Sequence, residues 1–222
     1  MAVDANIGVH RCLALRILPA QMISVLTEKG KTMNDLIGSR ICGGNTAYKR
    51  NAVDFYPTPP EVTKALVNFT RIPKGTKVWE PACGEGHMVE VLEQYGLDVI
   101  GTDIQEGTDF LKANIPDGIE WIITNPPFSL AADFIRKSAE HGVPFAMLLK
   151  SQYWHAAKRY DLFRSITPSY VLPLTWRPDF LFKTRGSGSP LMDVMWCVWL
   201  PGKYFTEFIP LRKPDSMVNT NE

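Results

Sequence analysis

The sequence predicts an α/β fold, with a mostly parallel β-sheet covered by helices on both faces. Three observations carry this prediction. Short apolar runs alternate with helix-length amphipathic segments from Asp54 onward. The runs are apolar without strict alternation, as strands buried on both faces are. No internal repeat of the kind that builds solenoids or propellers is present.

The elements follow in order. Pro59-Pro60-Glu61 opens a helix reaching about Thr70, with proline in the first turn, where no amide partner is lost. Lys77–Ala82 reads as a short buried strand and Gly86–Tyr95 as a helix closed by Gly96. Asp98–Asp103 and Trp121–Thr124 are the next two strands. Leu130–His141 is a helix ending at Gly142, Pro144–Leu149 a strand and Tyr153–Ile166 a further helix. Tyr170–Leu174 and Asp193–Leu200 complete the strands, separated by the irregular, basic segment Arg177–Pro190. Trp196 and Trp199 fit the buried strand and read as core. Residues 1–50 show no clear period and are expected to form a loosely attached extension, with Met33 an alternative start. The main domain is expected over 51–210 and a polar tail over 211–222.

Composition narrows the function. The chain has 222 residues, 45% hydrophobic and 21% charged, which suits one globular domain with short extensions. Cys12, Cys42, Cys83 and Cys197 stand far apart, which argues against a zinc site or a disulfide framework and suits a reducing cytoplasm. The apolar stretch Cys12–Leu26 is interrupted by Arg16, Pro19 and Gln21, so it is too broken to span a bilayer or to serve as a signal peptide. The net charge of +1 excludes adhesion to nucleic acid by bulk charge. It conceals a division: residues 1–135 carry 12 basic and 16 acidic side chains, and residues 136–222 carry 12 and 7.

In parallel sheets, ligands sit beyond the carboxyl ends of the strands. There, Glu80-Pro81-Ala82-Cys83-Gly84-Glu85-Gly86 joins the first strand to its helix. Gly84 and Gly86 permit tight turning and close backbone approach to a ligand. Asp103 ends the next strand, 17 residues beyond Gly86, where a carboxylate accepts hydrogen bonds from a ribose diol. A dinucleotide fits poorly. Val89 stands where a third glycine would be, and Glu80 would repel a pyrophosphate but suit a cationic ligand with an amino group. Asn125-Pro126-Pro127-Phe128 follows a strand directly, offering an amide oxygen, two rigid turns and an aromatic face. That set suits a flat ring held by its amino group; the plainer alternative is a rigid strand-end turn with a core phenylalanine.

Together, Glu80–Gly86, Asp103, Asp109-Phe110 and Asn125–Phe128 resemble the S-adenosylmethionine-dependent amino-methyltransferases, in particular small phage and bacterial DNA adenine-N6 methyltransferases. The resemblance covers roughly residues 54–200. It implies a Rossmann-like class I methyltransferase fold: a mostly parallel seven-stranded sheet with helices on both faces and an antiparallel last strand. By the same resemblance, Tyr56 and Thr58 would line the methionine end of the cofactor. Glu80, Pro81, Ala82, Gly84 and Gly86 would wrap its amino acid and sulfonium. Asp103 would hold the ribose, with Ile104 beside it, and Asp109 and Phe110 would address the adenine by hydrogen bond and stacking. Asn125, Pro126, Pro127 and Phe128 would form the catalytic pocket, in which the target amine attacks the methyl group directly and in line. Only 38 residues separate Gly86 from Asn125, too few for the target-recognition domain of larger members.

The implied partner is DNA, with an adenine target flipped from the stack. RNA bases and protein glutamine remain alternative acceptors, and a module without catalysis is a further alternative. Arg177, Lys183 and Arg185, flanking Gly186-Ser187-Gly188-Ser189, are the expected phosphate contacts, the alternative being a solvated loop. Lys150-Ser151-Gln152-Tyr153 follows a strand end and is a candidate part of the target pocket, and His87 is either a neighbour of the cofactor or a surface histidine at a helix start.

Overall fold

The computed structural model describes residues 57–180, 190 and 192–214. Residues 1–50, Tyr56, Lys183 and Arg185 lie outside the described residues.

The first helix, α1 (Pro60–Thr70), starts with proline at its first position and ends at Arg71, whose left-handed backbone (φ 50°) lets its N–H donate to the Val67 carbonyl. Then follow β1 (Lys77–Glu80), α2 (His87–Gln94), β2 (Asp98–Gly101) and β3 (Trp121–Thr124). Helix α3 (Ala131–Glu140), β4 (Phe145–Lys150), α4 (Tyr160–Ser165), β5 (Tyr170–Pro173), β6 (Val194–Trp199) and β7 (Glu207–Phe208) complete the described chain. These strands form one sheet in the order β2-β1-β3-β4-β6-β5-β7. The first four pair in parallel, β6 runs antiparallel between β4 and β5, and β7 lies parallel to β5 at the edge.

The core has two layers, one on each face. On β4, Phe145, Met147 and Leu149 pack toward α3 and α4 with Phe134, Ile135 and Leu162, whereas Ala146 and Leu148 pack toward α1 and α2 with Leu66 and Leu92. Strand β6 divides in the same way. Trp196 is fully buried and donates from Nε1 to the Val62 carbonyl at 3.0 Å, while Trp199 stacks on Phe145 at 4.6 Å on the other face.

Two elements differ from the sequence prediction. Tyr153–Ile166 is not one helix: two 3₁₀ turns, Ser151–Trp154 and Ala157–Arg159, precede the short α4, and Ala156 between them is extended. Tertiary contacts override the helical period here, because Tyr153 is buried and the Trp154 Nε1 donates to the Met195 sulfur at 3.0 Å. Strand β7 is an addition of two residues, too short to leave a pattern. Sheet contacts continue to Leu211, which is buried and bridges to Leu174.

Candidate active site

From β1 the chain crosses to β2 on one side and later to β3 on the other, so the carboxyl ends of β1 and β3 flank a topological switch point. The loop Pro81–Gly86 emerges there and is zipped to the end of β2. Thr102 N–H donates to the Glu80 carbonyl at 2.9 Å, Cys83 N–H to the Thr102 carbonyl at 3.0 Å and Gly84 N–H to Asp103 Oδ2 at 3.0 Å. Gly84 and Gly86 have φ of 51° and 82°, the left-handed region that glycine enters without strain.

Val89 in place of a third glycine is matched by Gly101 on the facing strand. A Cβ at Gly101 would lie 3.1 Å from Val89 Cγ2 and 3.3 Å from Cys83 Sγ. Close approach of α2 to β2 is kept, with the small residue moved from helix to strand.

Ala82, Cys83 and Glu85 of the loop, Asp103–Gln105, and Asn125, Pro127 and Ser129 line one cleft together with Pro57 and Thr58. Glu80 lies on its floor, 1% exposed. Its Oε1 accepts a 3.3 Å bond from Ala82 N–H, whereas Oε2 has no hydrogen-bond partner. Burial is the main reason its carboxyl is pushed up from 4.5 to about 8; nearby Thr124 and the Ala82 amide oppose the rise, and the charge of Asp103 adds to it. Asp103 holds Gly84 N–H with one oxygen and Gln105 N–H, at 2.9 Å, with the other. It therefore ties loop to strand while lining the cleft. Cys83 is no thiolate nucleophile: burial and the neighbouring acids Glu80, Asp103 and Glu106 raise its thiol to about 11.

At the end of β3, Asn125 donates from Nδ2 to Thr58 Oγ1 at 3.0 Å, across 67 residues of sequence. The bond orients the amide, because its donor end is engaged by Thr58 and its other end is the acceptor Oδ1. Pro126 is buried, and the Pro127 carbonyl accepts from Leu130 N–H at 2.9 Å, which makes the turn into α3 rigid. Phe128 is half-buried, and the Lys150 ammonium, at the end of β4, sits 4.1 Å from its ring centroid.

No family model matches the sequence, and no curated protein matches it. Solved structures do. A protein classed as a class I S-adenosylmethionine-dependent methyltransferase, from Listeria monocytogenes, has 14% identity and a TM-score of 0.52, with 73% of this chain and 67% of that chain covered. The methyltransferase subunit of a type I restriction-modification system from Streptococcus thermophilus has 13% identity and a TM-score of 0.52, over 79% of this chain. The fold is that of the class I methyltransferases. This chain spans about two thirds of the first neighbour and half of the second.

Within this fold, Thr58, Glu80, Ala82, Asp103, Ile104, Asn125 and Pro127 meet at one cleft, with His87 beside them. Asp109 and Phe110 are placed differently. Asp109 caps its own turn, accepting from Leu111 N–H at 3.1 Å and pairing with Lys112 at 2.9 Å. Phe110 is 2% exposed, its ring edge-on to Trp79 at 5.1 Å and tilted against Phe134 at 4.7 Å. Neither residue is among those that line the cleft. Arg177 is also engaged: its guanidinium forks onto the Asp193 carboxylate at 2.7 and 3.4 Å. Gln105 and Ser129 line the cleft without having been singled out in the sequence; their only signal was position just past a strand end.

Proposed function

We propose that the protein is an S-adenosylmethionine-dependent methyltransferase acting on the exocyclic N6 amine of adenine in DNA. The observation that carries this is one cleft containing both a buried carboxylate with an unpartnered oxygen, Glu80, and an asparagine amide oriented at the end of the adjacent strand, Asn125.

The residues fit the cofactor. Glu80 Oε2, buried and without a partner, is a counter-charge for the ammonium of a methionine moiety. Asp103 and Ile104 line the same cleft and would meet a ribose there, and the glycines of the loop keep side chains out of the way. When bound, S-adenosylmethionine supplies an electrophilic sulfonium methyl group.

The protein's task is to make a poor nucleophile competent and to position it. The lone pair of an adenine amine is delocalised into its ring. Asn125 Oδ1 and the Pro126 carbonyl would accept the two amine hydrogens and draw the nitrogen toward tetrahedral geometry, releasing the lone pair. Thr58 holds the Asn125 amide for this role. Phe128 would stack on the target base once the Lys150 ammonium yields its face. Rigid placement by the Pro126-Pro127 turn supplies orientation. The fold likeness to a restriction-modification methyltransferase subunit supports the methyl-transfer reading.

The test offers purified protein and methyl-labelled cofactor to DNA, RNA and protein, followed by nucleoside and residue analysis. N6-methyladenine in DNA is expected. Label only in RNA or protein overturns the choice of acceptor, and cofactor binding without transfer overturns the enzymatic reading.

A further inference from the structure

Of the residues expected to meet phosphates, Arg177 pairs with Asp193, and Lys183 and Arg185 lie outside the described residues. The cations concentrate elsewhere. Between residues 141 and 176 the chain carries Lys150, Lys158, Arg159 and Arg164 against a single acid, Asp161. This stretch leaves the sheet at the end of β4, where Lys150 caps the Phe128 ring.

The broken path after β4 gathers aromatic and basic side chains into one shallow groove, lined by Trp154, His155, Arg159, Tyr160, Phe163 and Arg164. Two of the guanidiniums already lie against aromatic rings. Arg159 sits 3.6 Å from the Tyr153 centroid and donates to the Tyr153 carbonyl at 2.7 Å, which fixes its position. Arg164 lies 5.8 Å from the Tyr160 centroid and donates toward the Tyr160 hydroxyl at 3.4 Å. Tyr160 is 62% exposed, and Lys158 stands exposed beside it. A core role would have hidden that ring. The rings of Trp154 and Phe163 pack with centroids 4.0 Å apart and line the same groove.

We propose that Ser151–Arg164 is a docking surface for an unpaired nucleic-acid strand continuing from the target pocket. The proposal rests on the function proposed above and adds the place where the substrate strand lies. Charge complementarity selects a polyanion, and the exposed ring selects one whose bases are unstacked. In a duplex the base faces are already occupied by their neighbours, whereas a single strand can lay a base on Tyr160 and its phosphates on Lys158 and Arg164. An acidic peptide would use the cations and leave the ring idle.

The test is binding of fluorescent oligothymidine to the full chain without cofactor, as a function of salt. Its lack of adenine separates it from methyl transfer. Lys158→Ala with Arg164→Ala should lower the slope of log affinity against log salt by about 1.4, at roughly 0.7 per single-strand phosphate. Tyr160→Ala should weaken binding about tenfold, with Tyr160→Phe restoring it. Circular dichroism confirms that the variants fold. An unchanged slope, indifference to Tyr160, or equal loss for dextran sulfate overturns the surface. If oligothymidine binds through these residues and no DNA is methylated, the surface stands and the methyl-transfer reading falls. If DNA is methylated and the variants bind oligothymidine as the wild type does, the surface falls and methyl transfer stands.

Discussion

Glu80→Gln tests the floor of the cleft without changing its shape. The carboxyl titrates at about 8 in the folded protein against an ordinary 4.5, so the folded state holds a proton that the unfolded chain has released at neutral pH. An acid raised on folding favours the fold at low pH and withdraws that support as pH climbs from 4.5 to about 8. The gap costs the wild type about 1 kcal/mol at pH 5 and about 3 kcal/mol at pH 7. Glutamine carries neither penalty. Urea unfolding at the two pH values should therefore show the wild type losing about 2 kcal/mol more than the variant between them. Cofactor binding should move the opposite way. A cation beside Glu80 favours its ionised form, so wild-type binding near pH 7 should release close to one proton, seen as buffer-dependent heat in calorimetry. The variant should bind more weakly and without that proton. Parallel stability profiles together with buffer-independent heats would refute the placement of a buried, unpartnered carboxylate in a cation site.

Other substitutions probe the packing, the amide and the surface. Gly101→Ala should destabilise by about 1–3 kcal/mol, because its Cβ would press on Val89 and Cys83. Val89→Ala in the same chain should recover most of that loss in chemical denaturation. Thr58→Val removes the acceptor that orients the Asn125 amide. It should lower single-turnover methyl transfer at least tenfold while cofactor affinity changes little, and equal loss of both would place Thr58 at the cofactor alone. Arg177→Ala should leave the salt slope of DNA binding within about 0.3 of wild type, since its fork is engaged by Asp193; a drop near 0.7–0.9 would return it to the interface.

Much of the sheet was legible because strands buried on both faces advertise themselves as short apolar runs between glycines. Trp121–Thr124 appears at its expected limits, and the other expected strands differ by one or two residues at an end. The loop Glu80–Gly86 was readable from glycine spacing, and the turn Asn125–Phe128 from its prolines. What long-range contact decides was not readable. The Asn125–Thr58 bond spans 67 residues, and Lys150 reaches Phe128 from the neighbouring strand. That Glu80 is an acid is plain in sequence; that its second oxygen is buried without a partner is visible only in three dimensions. The role expected of Phe110 came from the resemblance alone, and its packing against Trp79 leaves no mark in the sequence. Tyr153–Ile166 kept a helical period that the burial of Tyr153 and the bond from Trp154 to Met195 interrupt.

Activation of an adenine amine by Asn125, in the cleft that Glu80 floors, is the central claim. Its most direct test is mass spectrometry of nucleosides from DNA incubated with cofactor and either wild type or Asn125→Ala, alongside calorimetric titration of cofactor into both. The wild type should yield N6-methyladenine, Asn125→Ala should lose at least about a hundredfold, and cofactor affinity should stay within about threefold between the two. Near-normal N6-methyladenine from Asn125→Ala, with its cofactor affinity intact, would contradict the claim.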